Sequence, residues 1–151
     1  MKRPDLGKLF RPGATGLARV LGELEAAVME VVWSEPDKEW TAREVSGQVG
    51  PQRDVKHITV VTVLNNLWRK GLLRRRKRQG VLRYGGAVDR QEFLASVSRE
   101  VAEGMLELAP EIAVTSFVDA VSRTGPEALD ELRRLIAEHE DRDRKRKVDE
   151  S

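Results

Sequence analysis

With 151 residues, 27 Lys/Arg against 25 Asp/Glu and a net charge of +2, the chain suffices for one good-sized domain or a small domain plus an oligomerisation segment. The absence of cysteine excludes disulfides, thiolate metal sites and thiol redox sensing, and suits a reducing compartment. Aromatic residues are few and no apolar run suits a signal peptide or a membrane span, so a soluble, cytoplasmic, mainly helical protein is expected.

The charge is unevenly spread. Residues 40–88 hold 11 Lys/Arg and only 2 Asp/Glu, a local +9, whereas residues 89–151 hold 10 and 16, giving −6. A polyanion is the partner that such a basic segment favours.

Residues 1–20 mix glycine, proline and scattered cations without periodicity and read as a flexible basic arm, either reaching for a polyanion or only aiding solubility. Residues 21–88 then carry a compact alternation of elements. A first helix from Gly22 sets Leu24, Val28, Val31 and Val32 on one face with Trp33 beside them, and leaves Glu23, Glu25 and Glu30 as a solvated face near the helix start. Glu35-Pro36-Asp37-Lys38 reads as a turn and Glu39-Trp40 as a short strand, Trp40 belonging to the core. Thr41 and Glu44 match a capping box, so a second helix starts near Ala42, runs through Val45 and Val49, and is expected to stop at Gly50-Pro51.

The third helix is the most informative. Val60, Val63, Leu64 and Leu67 recur at the spacing that lines one buried face, while Thr59, Val61, Thr62, Asn65, Asn66 and Arg69 lie opposite. Short hydrogen-bonding side chains with one aliphatic group suit the edges of bases, since asparagine can pair with adenine and a methyl group can touch thymine. Gly71 ends this helix. Arg74, Arg75, Arg76, Lys77 and Arg78 follow in a row, and Gln79-Gly80 turns the chain into Val81, Leu82, Arg83 and Tyr84. This hairpin is a wing whose alternating faces separate Arg74, Arg76 and Arg78 from Arg75 and Lys77, either as phosphate contacts or as charges protecting a sheet edge. The fold class is mainly α with a small β-hairpin wing, a winged helix-turn-helix followed by C-terminal dimerisation helices.

Gly85-Gly86 reads as a break and Val88-Asp89 as a cap, opening a helical segment over residues 89–141. Phe93, Leu94, Val97, Val101 and Met105 form one apolar stripe, Ile112, Phe117, Val118 and Val121 a second, and Leu129, Leu132, Leu135 and Ile136 a third after Gly125-Pro126-Glu127. Such helices have too little volume to bury these stripes alone, so a homodimer is expected, an intramolecular helical cap being the alternative. Residues 142–151 read as a charged, disordered tail.

Catalysis finds no support: His57 and His139 are far apart in sequence, and no nucleophile-elbow, Walker or dinucleotide-binding signature occurs. No acidic or histidine cluster has metal-ligand spacing, so neither metal nor cofactor is expected.

The segments LGELEAAVMEVVW, TAREVSGQV and ITVVTVLNNLWRKGLLRRRKRQGVLRY, with the helical C-terminal part, resemble the penicillinase-repressor family of bacterial regulators, the group of BlaI, MecI and CopY, over roughly residues 20–140. The most specific elements are the tryptophan closing helix one, the T-V-x-T-V-L-x-x-L-x-x-K-G run from Thr59 to Gly71, and the tyrosine ending the wing. The resemblance implies a homodimeric repressor on the nucleoid whose winged helices bind an inverted-repeat operator in double-stranded DNA. By the same resemblance Thr59, Thr62 and Asn66 face the major groove, with Lys56, His57 and Asn65 near backbone or bases; Arg74 to Arg78 and Arg83 serve the wing. His57, at the start of its helix, suits a phosphate contact or a solvated cap. The chief alternative is a winged-helix protein that binds DNA without sequence preference.

Two departures bear on regulation. Copper release through C-terminal cysteines is not available to a chain without cysteine. In the β-lactam branch a signal-dependent protease cleaves an Asn-Phe bond in the dimerisation region, but the corresponding stretch here reads REVAEGMLELAPE, and the chain has no Asn-Phe.

Overall fold

The computed structural model describes residues 20–151, in which the elements run α1 (Glu23–Ser34), β1 (Trp40–Thr41), α2 (Ala42–Arg53), α3 (His57–Arg69), β2 (Leu73–Arg78), β3 (Val81–Gly86), α4 (Arg90–Leu108), α5 (Pro110–Thr124) and α6 (Pro126–Asp149). The basic N-terminal arm expected over residues 1–20 lies, but for its last residue, outside the described residues. No helix among them is long and apolar enough to cross a membrane.

The helix starts follow local chemistry. The Thr41 hydroxyl accepts from the Glu44 amide, and the Glu44 carboxylate accepts from the Thr41 amide at 2.8 Å, which closes the capping box expected for α2. Asp89 accepts from the Glu92 amide at 2.7 Å and so caps α4, while Pro110 and Pro126 occupy the first turns of α5 and α6, where no amide proton is needed.

Three boundaries differ from the sequence reading. Helix α2 continues through Pro51 to Arg53, because a proline so near the end forfeits a single backbone bond and the chain is instead capped by Asp54, which adopts a left-handed φ of 50° with its amide on the Gly50 carbonyl. Gly85 and Gly86 do not break the hairpin; they pair with Arg74 and Leu73 and complete β3. The charged C-terminal residues are helical through Asp149. No breaker interrupts them, and opposite charges recur three and four residues apart, as in Arg144 with Asp141 and Arg146 with Glu150.

The strands form one antiparallel sheet in the order β1-β3-β2, with Trp40 opposite Tyr84 and Arg75 opposite Tyr84 on the other side. Gln79 and Gly80 both have positive φ, 50° and 79°, which is the backbone a two-residue hairpin turn requires. Val28, Met29, Val32, Val45, Val49, Val60, Leu64, Leu67, Leu73 and Tyr84 are buried together, and Trp40 joins them as core, its ring nitrogen buried without a hydrogen-bond partner among the described residues. Glu25 departs from the solvated face assigned to the α1 glutamates: its carboxylate caps the Gly22 amide and accepts from Lys70 Nζ at 2.7 Å, which ties the start of α1 to the end of α3.

The described residues fall into two compact units, the first running through Val101 and the second covering Ala102–Ser151. Phe93 and Val97 are buried in the core of the first unit, with Leu94 and Val101 packed against it. These four were expected at a dimer interface. The packing of Phe93 against Trp33, at 5.6 Å between ring centroids, gives them an intramolecular role, so the first unit extends past residue 88. In the second unit Ala113 is the one apolar side chain that is buried, while Met105, Ile112, Phe117, Leu135 and Ile136 are exposed.

Candidate nucleic-acid interface

Helix α3 owes its orientation to Val60, Leu64 and Leu67, which are fully buried, and to Val63 beside them. The same periodicity turns Ile58, Thr62, Asn65, Asn66 and Arg69 outward. Thr59 and Thr62 are exposed as expected, with the Thr62 hydroxyl donating to the Ile58 carbonyl at 3.0 Å. Arg69 donates to the Asn66 side-chain oxygen at 3.2 Å. At the start of the helix Lys56 is exposed, and His57 Nδ1 lies 2.8 Å from the Ser46 hydroxyl, which links α3 to α2 and already engages one ring nitrogen.

Asn65 differs from its neighbours. Its side-chain oxygen accepts from Arg75 at 3.0 Å and from the Tyr84 hydroxyl at 3.0 Å, and it is half-buried at the junction of α3 with the wing. Arg75 also stacks on Trp68, with the guanidinium carbon 3.6 Å from the ring centroid. On this face of the hairpin the wing is therefore locked to the helix rather than free in solvent.

The opposite face carries Arg74, Arg76 and Arg78. Glu39 reaches Arg78 at 3.3 Å and Arg76 at 3.9 Å, and Arg76 stands directly opposite Arg83 in the β2-β3 register. Arg74 and Lys77 have no ion-pair partner among the described residues. The alternation read from the sequence thus separates the cations, but it gives the two sides different tasks: one face is pinned to α3, the other is held by a single carboxylate.

Ile58, Trp68 and Glu39 escaped the sequence reading. Ile58 is 66% exposed, and the signal for it was its place four residues before Thr62 on the outward face. Trp68 follows Asn65 by three residues and could have been expected near the wing; Glu39 carried no local signal because its partners lie across the sheet.

The sequence profile of the penicillinase repressor family matches residues 21–138, most of the chain. The chain belongs to the penicillinase repressor family. Members of this family are transcriptional regulators rather than enzymes, and regulators of this kind bind DNA. The transcriptional regulator BlaI of Mycobacterium tuberculosis, from strain CDC 1551 / Oshkosh and from strain ATCC 25618 / H37Rv, is 33% identical over 121 residues, 80% of this chain and 85% of BlaI. Among solved structures, MepR, a transcription regulator of the Staphylococcus aureus multidrug efflux pump MepA, aligns at a TM-score of 0.39 and 14% identity over 78% of this chain and 76% of its own. In this family member, then, the run from Thr59 to Gly71 is helix α3 and its glycine stop, where Gly71 has φ 81°.

Proposed function

We propose that this protein is a sequence-specific repressor that binds an inverted-repeat operator as a homodimer, with α3 in the major groove and the wing on the adjacent backbone. The observation that carries this reading is the outward face of α3, where Thr59, Thr62 and Arg69 stand exposed, with Asn66 half-buried among them, beside a wing rich in arginine. Short polar side chains on a rigid helix are what base edges require, and the cations beside them supply the sequence-independent attraction to phosphate. Support for the dimer comes from the second unit, where Ile112 is 69% and Phe117 is 59% exposed, a pattern that a second copy would cover. Two copies read two half-sites, which is the geometry an inverted repeat presents. Its place of action is then the cytoplasm, on the nucleoid.

Selection of bound duplexes from a random pool tests this directly. An enriched inverted repeat is the expected result. Binding without enrichment would instead assign the wing and helix to DNA of any sequence, with affinity governed by salt alone.

A further inference from the structure

The two neighbouring asparagines of α3 have different hydrogen-bonding capacity. The Asn65 side-chain oxygen accepts from Arg75 Nη1 at 3.0 Å and from the Tyr84 hydroxyl at 3.0 Å. A guanidinium has no acceptor, so the amide atom facing it has to be the oxygen, and two donors fill both of that oxygen's lone pairs. Neither partner is free to swing away: Tyr84 is buried in the core and Arg75 is stacked on Trp68. The Asn65 amide nitrogen donates to no group among the described residues and is not among their buried unpartnered atoms, so solvent reaches it. Asn66, by contrast, receives one bond, from Arg69 at 3.2 Å, and keeps a lone pair.

We propose that Asn65 reads DNA as a hydrogen-bond donor only and selects a keto base, guanine or thymine, at one position of each half-site. This deepens the DNA-binding reading above and rests on it. The familiar pairing of an asparagine with adenine needs one acceptor for N6 and one donor for N7 at the same time. Asn65 has no acceptor to offer, so cytosine N4, a donor, meets its N–H groups unfavourably, and adenine offers them N7 alone beside the opposing N6 donor. Guanine O6 and N7 and thymine O4 are acceptors and pair with it. Asn66 retains the capacity for adenine that Asn65 has lost. Discrimination on the order of tenfold follows for one such contact.

The experiment is duplex selection with the full chain and with the variants Asn65→Ala and Asn65→Asp. Asn65→Asp keeps an oxygen for Arg75 and Tyr84 but presents a second oxygen where the N–H groups stood. The wild type should enrich guanine or thymine at one position per half-site. Asn65→Ala should relax that position alone, and Asn65→Asp should invert it towards cytosine or adenine. If wild type enriches a repeat and Asn65→Ala changes none of its positions, or relaxes one occupied by adenine or cytosine, the donor-only assignment is wrong while the repressor reading stands. No enrichment by the wild type would overturn both.

Discussion

The guanidinium of Arg75 rests on the indole of Trp68, so the first residues of the wing are stacked on the last turn of α3. Cation–π contacts at partly exposed sites contribute about 0.5–1 kcal/mol. Trp68→Ala should therefore lower the free energy of unfolding by about 1 kcal/mol in urea titration and weaken binding to every duplex, since the wing loses its fixed angle to the helix. Unchanged stability with weakened binding would mean that Trp68 touches DNA itself.

Glu39 sets how much charge the wing offers. Arg76 and Arg83 are cross-strand partners, an arrangement that costs stability, and Glu39 is the carboxylate that reaches Arg76 and Arg78. Both arginines are largely exposed, so the pairs add little to stability. Their effect falls on DNA, because phosphate has to compete with the carboxylate. Glu39→Gln should bind all sequences more tightly and steepen the dependence of log affinity on log salt by roughly one unit, read by fluorescence anisotropy over a salt series. Weaker binding would show that Glu39 holds the arginines in their productive position.

Acid should act on α2 through Glu44. The hydrogen bond from the Thr41 amide holds its carboxyl below the ordinary 4.5, and the smaller effect of burial opposes this. A carboxyl depressed in the folded state stabilises the protein above its unfolded value, and that contribution disappears as pH falls through the folded value. Melting temperatures measured from about pH 5 down to about pH 3 should thus decline less for Glu44→Gln than for the wild type, although the variant starts lower. Because Glu44 is exposed, the difference should be small, and parallel curves would remove the cap as a source of acid sensitivity.

Much of this was legible in the residues themselves. The capping box at Thr41, the stop at Gly71, the Gln79-Gly80 turn and the buried face of α3 are each specified within a few positions, and local physics decides them. What could not be read locally depends on distant partners. Glu25 looked solvated until Lys70, 45 residues away, was folded against it, and Asn65 looked like a free base reader until Arg75 and Tyr84 filled its oxygen. Phe93 and Val97 illustrate the same limit: their stripe is plain in the sequence, but the partner that covers it is the core of the first unit. The helical course of the charged C-terminal residues was masked by composition, which suggested a solvated tail although the spacing of opposite charges favours a helix.

The apolar faces of the second unit make the sharpest demand on assembly. Met105, Leu106, Val114, Phe117 and Ile136 line a shared groove of about 310 Å³, and a unit with so little buried surface lacks the core to hold three helical segments by itself. Phe117→Asp should cost little within one chain, since the ring is already 59% exposed, yet it would place a charge in any surface that a second copy covers. Sedimentation equilibrium should find a dimeric wild type and a monomeric variant, with affinity for an inverted repeat falling towards that for one half-site while half-site binding is kept. A chain ending after Val101 should behave like the variant and remain folded, because it keeps Phe93 and Val97 in the core; one ending after Asp89 would lose both and unfold more readily. A monomeric wild type, or a truncated form that still dimerises, would move the interface out of the second unit.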